Sequence, residues 1–437
     1  MRMSAVVRAA LLGAALTLST AGAGPDAGAP ALTGTLAGGG TYLIRPSGGA
    51  AVAAVALWYR APAGGFGTEA TPSLSRLAAS TVAASRPVTG TALAEFVRRG
   101  GGRLTISAYP ESIAVSVLVP ADRAADAVRA VTRSFFAPVL SDEGLVLARR
   151  NVLEDGSIRG FDRAALITDA IYAALFAAGP AKIPPYSGTA SFATLPLEAV
   201  RTFAERAFRP SNAVLIVTGS VDPAVLSGAL PGREGAPSGT ETPAPETLAP
   251  AGGPIRAPGP EPGFGMGWAG PPIADEREAT AFDFIADYLF YPETGVVQKA
   301  VRDTGSLLVG TFVTYHDPGV FLLSSSGGDQ AAVHAAVNAA LLVIRRPLAA
   351  TAFEAARHQF VYHILSGAET PAALADTYGW YAVEGNPSYA PSEGGTAGRY
   401  LSAAAALTPE FVAATAAKYL DRPGAAITIE PRTRTAR

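Results

Sequence analysis

Two kinds of hydrophobic pattern follow one another along most of the chain. Residues 104–109 (LTISAY) and 113–120 (IAVSVLVP) alternate apolar and polar positions, which is typical of half-buried strands. The next segment, residues 124–136 (AADAVRAVTRSFF), places Val128, Val131 and Phe135 together with Ala125 on one face of a helix. The patterning therefore predicts an α+β fold.

The same order of elements occurs twice. Residues 96–136 and residues 300–343 both begin near a Val-Arg pair and continue through a glycine-containing turn, two alternating strands and an Ala/Val-rich helix. Such a recurrence indicates internal duplication. We expect two tandem homologous domains, each an antiparallel-type sheet packed with helices on one side, in a clam-like arrangement.

Residues 231–262 separate the two repeats. This segment is rich in Pro, Gly, Ser and Thr and has almost no large apolar side chains, so it is predicted to be a surface linker, partly extended. The N-terminal domain then spans residues 24–230 and the C-terminal domain residues 263–437.

Residues 1–23 have the three parts of a secretory signal peptide. Arg2 and Arg8 precede a short apolar stretch, and Ala21-Gly22-Ala23 forms a small-residue cleavage site. The alternative is an uncleaved anchor, for which the apolar stretch is short. We expect a periplasmic or secreted protein with no integral membrane segment after cleavage.

Composition narrows the classes of function. The net charge is −2, with acids and bases mixed along the chain, whereas a nucleic-acid-binding protein needs a basic patch. The absence of Cys excludes a thiolate nucleophile, a disulfide framework and a cysteine-based zinc site. A length of 437 residues with 49% hydrophobic residues is sufficient for two cored domains.

The order of elements resembles the pitrilysin/insulinase family of zinc metallopeptidases, especially its short bacterial members and the mitochondrial processing peptidase subunits. Residues 184–223 are similar to the family's Pro-Tyr-Gly segment with the helix and strand after it. Residues 294–312 are similar to a segment of the family's second half, although Arg302 and Gly305 are one residue closer together. The resemblance covers about residues 33–429. The positions matching the first segment are Phe208, Pro210, Asn212, Leu215 and Gly219.

The chain departs from the family where the metal would bind. The helix within residues 68–85 should carry H-x-x-E-H, but it has Leu74, Leu77 and Ala78 at those places, none of which binds zinc. Glu154, or the adjacent Asp155, lies near the place of the family's third ligand and is read as a vestigial ligand position. We therefore expect no catalytic residue, no metal site and no cofactor.

Arg302 is the candidate substrate-binding residue. The resemblance implies an Arg/Tyr pair that contacts substrate, and these places fall on Arg302 and about Val309. A guanidinium suits a peptide carbonyl or carboxylate. The alternative is a structural ion pair of Arg302 with Asp303 or Glu293.

Two further groups of residues have both a functional and a structural interpretation. His358 and His363 are five residues apart, about 140° out of alignment on a helix, unlike the four-residue spacing of zinc-binding pairs. One solvated and one partly buried His is the favoured interpretation. An aromatic group could contact a peptide or subunit, or could pack in the core; it consists of Tyr378, Trp380, Tyr381 and Tyr389.

Three hypotheses of function follow from the resemblance. In the first, the chain is an exported non-catalytic subunit that pairs with an active H-x-x-E-H homologue, or with itself, and helps to bind and process peptides, with sheet edges adding an extended peptide. In the second, it is a stand-alone peptide-binding or scaffold protein. In the third, it is a zinc peptidase with displaced ligands, with His358 and His363 folded against Glu154.

Overall fold

The computed structural model describes residues 31–431, apart from 48–50, 67–70, 88–89, 161, 184–185, 187–192, 232–243, 251, 260 and 386–397. The predicted signal peptide lies outside the described residues. Much of the predicted linker does as well.

The first half of the chain builds a six-stranded sheet in the order β1-β2-β7-β3-β5-β4. The β2–β7 pair is parallel and the other pairs are antiparallel. A separate two-stranded sheet pairs β6 with β8. The strands are β1 (Leu32–Thr35), β2 (Thr41–Pro46), β3 (Val52–Arg60), β4 (Arg103–Ala108), β5 (Ser112–Pro120), β6 (Phe176–Ala178), β7 (Ala213–Gly219) and β8 (Thr247–Leu248).

The second half builds a five-stranded sheet in the order β11-β12-β10-β13-β9, in which the β13–β9 pair is parallel. These strands correspond one to one with β4-β5-β3-β7-β2, which confirms the predicted two-part plan. Strand β9 lies within the range predicted as linker and forms the edge of this sheet. The strands are β9 (Ile255–Gly259), β10 (Gly263–Gly270), β11 (Leu307–Val313), β12 (Gly319–Ser326) and β13 (Ala425–Pro431).

Six helices occupy the same places in the order of elements of both halves. The first half contains α1 (Leu74–Ala84), α2 (Leu93–Arg99), α3 (Ala124–Phe136), α4 (Asp142–Gly160), α5 (Arg163–Leu175), α6 (Leu197–Ala207) and α7 (Pro223–Ser227). The second half contains α8 (Glu276–Phe290), α9 (Val296–Val301), α10 (Gln330–Ile344), α11 (Ala350–Gly367), α12 (Pro371–Glu384), α13 (Gly398–Ala405) and α14 (Pro409–Tyr419). Among the described residues, α7 and α13 have no counterpart. Across the described ranges, none of these helices has the length and apolar content that crossing a bilayer requires.

One face of each sheet is covered by helices of its own half, as predicted. In the first half, Val55 and Leu57 of β3 pack with Leu77 of α1, Val128 of α3 and Phe203 of α6. An equivalent core in the second half joins β10 to α8, α10 and α14. These are the two cores that period-two strands and amphipathic helices imply.

The other face of each sheet is covered by a helix of the opposite half. Helix α12 lies on β3 and β7 of the first sheet, and α5 lies on β10, β12 and β13 of the second. This exchange is needed because Ala54, Ala56 and Trp58, the alternate residues of β3, are also apolar and require cover. A third core therefore fills the space between the two sheets.

Glycine permits the close approach of the exchanged helices. A Cβ at Gly265 of β10 would lie 2.3 Å from Ile167 Cγ2 of α5, and a Cβ at Gly379 of α12 would lie 2.0 Å from Trp58 Nε1 of β3. Neither position has room for a side chain. In each pair, one half contributes the glycine and the other contributes the large side chain.

Candidate functional site

Helix α1 carries no metal-binding side chain at the three positions that the resemblance assigns to H-x-x-E-H. Leu77 and Ala78 are fully buried in the first core, and Leu74 is half-buried against it. These side chains serve packing. In the part of the chain that the structure describes, no three His, Cys, Asp or Glu residues are grouped so that they could hold a metal ion.

An ion pair joins α1 to α4 beside these positions. Arg76 of α1 donates a hydrogen bond to Asp155 of α4, and its guanidinium also lies 4.6 Å from the centre of the Tyr186 ring. Glu154, the predicted vestigial position, is exposed next to this pair. The carboxylate that faces α1 is therefore that of Asp155, where it balances a guanidinium.

Arg302 lies in a single 3₁₀ turn between α9 and β11, and it is exposed. Gly305 ends the turn in the left-handed region, with φ of 70°. No ion pair joins Arg302 to Asp303 or Glu293, all three of which the structure describes. The structural alternative for Arg302 thus has no support, and the guanidinium is accessible at the start of an edge strand.

The two histidines of α11 have different environments. His358 is exposed, whereas His363 Nδ1 lies 2.8 Å from Asp287 Oδ1 and its ring stacks on Tyr291 at 3.4 Å. Both are in the second half, on a different helix from Glu154, and the described residues form no metal-binding group that includes them. The displaced-ligand hypothesis therefore lacks a site in this part of the molecule.

The aromatic group of α12 is mainly part of the third core. Tyr378 and Trp380 are buried there, and the Trp380 indole N–H donates to Thr314 O at 2.9 Å. The Trp380 ring meets Trp58 and Tyr109 of the first half edge-on. Core packing thus accounts for these two residues; Tyr389 lies outside the described residues.

A cluster of polar residues between the two halves, called here the polar seam, was not predicted from the sequence. It consists of Arg60, Glu111, Ser112, His316 and Glu384, brought together from the end of β3, the β4–β5 turn, the β11–β12 turn and the end of α12. Four of these side chains, all except Ser112, line a cavity of about 530 Å³ together with residues 244–248. These positions lie far apart in the sequence and form no local motif, although Glu111 stands at a hairpin turn directly before the apolar run of β5.

The seam holds two carboxyl groups in contact. Glu384 Oε1 accepts a hydrogen bond from Ser112 Oγ at 3.1 Å, and the Glu111 carboxyl lies close enough to that of Glu384 to influence its pKa. Their residues are only 8% and 2% exposed, respectively. Burial raises the pKa of both, and for Glu384 the neighbouring Glu111 raises the pKa further.

Backbone contacts from both halves complete the seam. Arg60 Nε donates to Val383 O, and His316 Nδ1 lies 3.3 Å from Glu384 O. The Arg60 bond links the first half to the second, as does the bond from Ser112 to Glu384, so the seam ties the exchanged helix α12 to the end of β3 and the start of β5.

A family model and several solved structures are similar to this chain. A family model described as peptidase M16 inactive domain matches residues 194–360. No curated protein matches the chain. A protease from Helicobacter pylori is 14% identical, with a TM-score of 0.78 over 92% of this chain and 99% of that one.

Two other solved structures share the fold. A peptidase M16 inactive domain from Pseudomonas fluorescens is 15% identical, with a TM-score of 0.75 over 93% of this chain and 100% of that one. A chain of complex III2 from Candida albicans is 14% identical, with a TM-score of 0.72 over 91% and 95%. At these identities the likeness establishes the fold, and it confirms the resemblance seen in the sequence.

Proposed function

We propose, from the premise that this chain is a non-catalytic homologue of the M16 peptidases, that it is an exported subunit that pairs with an active H-x-x-E-H homologue and helps it to bind peptides. The proposal rests on the side chains that α1 carries at the assigned zinc-ligand positions. Leu77 and Ala78 occupy the positions that the resemblance assigns to zinc ligands, and both are fully buried. This face of the helix therefore packs in the core and offers no metal ligand. Any zinc chemistry must then come from a second chain.

The exchanged helices support the need for that second chain. Because α5 and α12 fill the space between the two sheets, the interior of the described structure is a packed core and not a chamber for an unfolded peptide. A peptide-sized enclosure would form against another subunit. The presence of a similar chain in a multi-subunit complex from Candida albicans is compatible with such an assembly.

The edge strands offer a route for peptide binding. Strand β4 ends the first sheet and β11 ends the second, so each presents backbone groups to an added strand. Arg302 is exposed at the turn that leads into β11. In this role it would orient a carbonyl or carboxylate of the peptide.

The decisive experiment measures zinc content and peptide hydrolysis for the mature protein alone and mixed with an H-x-x-E-H homologue encoded beside it. We expect no stoichiometric zinc and no hydrolysis by the chain alone, and faster hydrolysis by the mixture than by the homologue. The control is the homologue with the motif Glu changed to Gln, which should remain inactive in the mixture. Stoichiometric zinc with hydrolysis by the chain alone would contradict the proposal.

The same assay tests the alternative of a stand-alone peptide-binding protein. That alternative predicts tight peptide binding by the chain alone and no change in the homologue's activity on mixing. Recovery of the chain in the periplasmic fraction or the medium, starting after Ala23, would support export. Retention in the cytosol would contradict that part of the proposal.

Substitution of Arg302 is expected to weaken peptide use by the pair. Arg302→Ala should lower kcat/KM by about 10- to 150-fold, because a hydrogen bond to a charged group contributes about 1.5–3 kcal/mol. Arg346→Ala is the matched control, since Arg346 is also exposed but lies at the end of α10, away from β11. Equal effects of the two substitutions would show that Arg302 has no specific role.

A further inference from the structure

The carboxyl pair of the polar seam has a position that the proposed function does not explain. Glu111 belongs to the first half and Glu384 to the second, and both are almost completely buried where α12 crosses the end of the first sheet. Two carboxyl groups in contact bond to each other only while they hold a proton between them. A proton shared by this buried pair would therefore join the two halves at this place.

The surroundings compensate only in part for losing that proton. Arg60 and His316 lower the pKa of Glu111, but burial raises it by more, and Arg60 Nε is already bonded to Val383 O. Ser112 donates a single hydrogen bond to Glu384. The other titratable or charged groups that face the pair are Tyr109 at the end of β4, Tyr172 of α5, Glu246 beside β8, and Tyr315, His316 and Asp317 of the β11–β12 turn.

Two of these six groups are acidic and oppose a second negative charge. Glu246 and Asp317 are acidic, and burial raises the pKa of Glu246 to about 8, which shows how poorly this region accommodates charge. The tyrosine hydroxyls are neutral in the physiological range. Deprotonation would thus leave two carboxylates in contact across the interface.

We propose that Glu111 and Glu384 form a pH-sensitive latch that holds the end of α12 against the first half and releases it as the pH rises. The latch is closed while the pair shares a proton. When the proton is lost, repulsion between the carboxylates separates α12 from the β4–β5 turn and opens the adjoining cavity to solvent. The proposal does not depend on pairing with a peptidase.

The direction of the pH effect follows from the raised pKa values. A carboxyl whose pKa is raised in the closed state contributes stability that is fully present below its ordinary pKa, near 4.5, and lost as the pH rises through the raised value. Each unit of difference in pKa changes the opening equilibrium by about tenfold. The latch therefore weakens from acid toward alkaline pH.

Hydrogen–deuterium exchange of the full mature chain, corrected for intrinsic rates, tests the latch. Between about pH 5.5 and about pH 8.5, protection at the last turn of α12 and at residues 109–112 should fall by about tenfold or more in the wild type. In Glu384→Gln it should stay nearly constant, because an amide donates to Glu111 without titrating. Glu111→Gln should behave in the same way and provides a second variant if the first does not fold.

Asp283→Asn is the matched control. Asp283 is a carboxyl of α8 whose pKa burial raises to about 7, but it accepts a hydrogen bond from Tyr400 within the second half. This variant should keep the wild-type pH dependence at α12. The proposal is overturned if Glu384→Gln and the wild type have the same pH dependence, if Asp283→Asn also removes it, or if neither Gln variant folds.

Discussion

Expressed separately, the two halves of the chain should fail to fold, and they should regain native structure only when mixed. Fragments 31–231 and 244–431 each lose the helix that covers the inner face of their sheet. For the second sheet this removes Ile167, Ile171 and Leu175, all buried in the third core. Burying each such side chain stabilises a protein by about 1.5–3 kcal/mol, so the loss approaches the whole stability of an ordinary domain.

Near-ultraviolet circular dichroism and denaturant unfolding measure this effect. Each fragment alone should lack a cooperative transition, and an equimolar mixture should recover the native spectrum. The control is the intact chain folded first and then cleaved between residues 232 and 243, which should remain assembled. A cooperative transition in either isolated fragment would show that the exchanged helix is not required.

Gly379→Ala should be the most damaging single substitution near this interface. The new Cβ would lie 2.0 Å from Trp58 Nε1 and 2.2 Å from its Cδ1. Trp58 has little room to move because it is 1% exposed, stacks on Tyr109 and meets Trp380 edge-on. Overpacking of this kind costs about 1–3 kcal/mol and occasionally more, and we expect the upper end of that range.

Urea unfolding, followed by tryptophan fluorescence, measures the change in the free energy of unfolding. Gly367→Ala in α11 is the matched control, because nothing lies within 4 Å of a Cβ there. It should be neutral or stabilising by up to about 1 kcal/mol. Trp58→Phe combined with Gly379→Ala should recover part of the loss if the indole contact is the cause.

Most of the fold could be predicted from the sequence, because the patterns that indicate strands and helices lie within short stretches of the chain. Period-two strands, amphipathic helices and their repeated order gave the two sheets and their outer helices. The exchange of α5 and α12 could not be predicted, because an apolar helix face shows that the helix must be covered but not by which sheet. Glycines at alternate positions of β10, Gly263, Gly265 and Gly267, were the available signal of a closely packed inner face.

The candidate site, like the fold, could be predicted from the sequence only in part. The absence of zinc ligands on α1 was visible because a helix carries its motif within a few residues. The polar seam was not visible, because Arg60, Glu111 and Glu384 approach one another only after both halves have folded. The pairing of Asp155 with Arg76 likewise depends on two helices meeting, and the resemblance alone placed the vestigial position at Glu154 or the adjacent Asp155.

The segment that joins the two halves has a thermodynamic role, because each half supplies a helix that the other needs. Two half-length chains exchanging α5 and α12 would associate only as far as their concentration allowed. Residues 232–243 join the halves covalently, which converts that association into an intramolecular step at an effective concentration of about millimolar. Folding then becomes independent of dilution, so the native structure does not depend on how much of the protein is present.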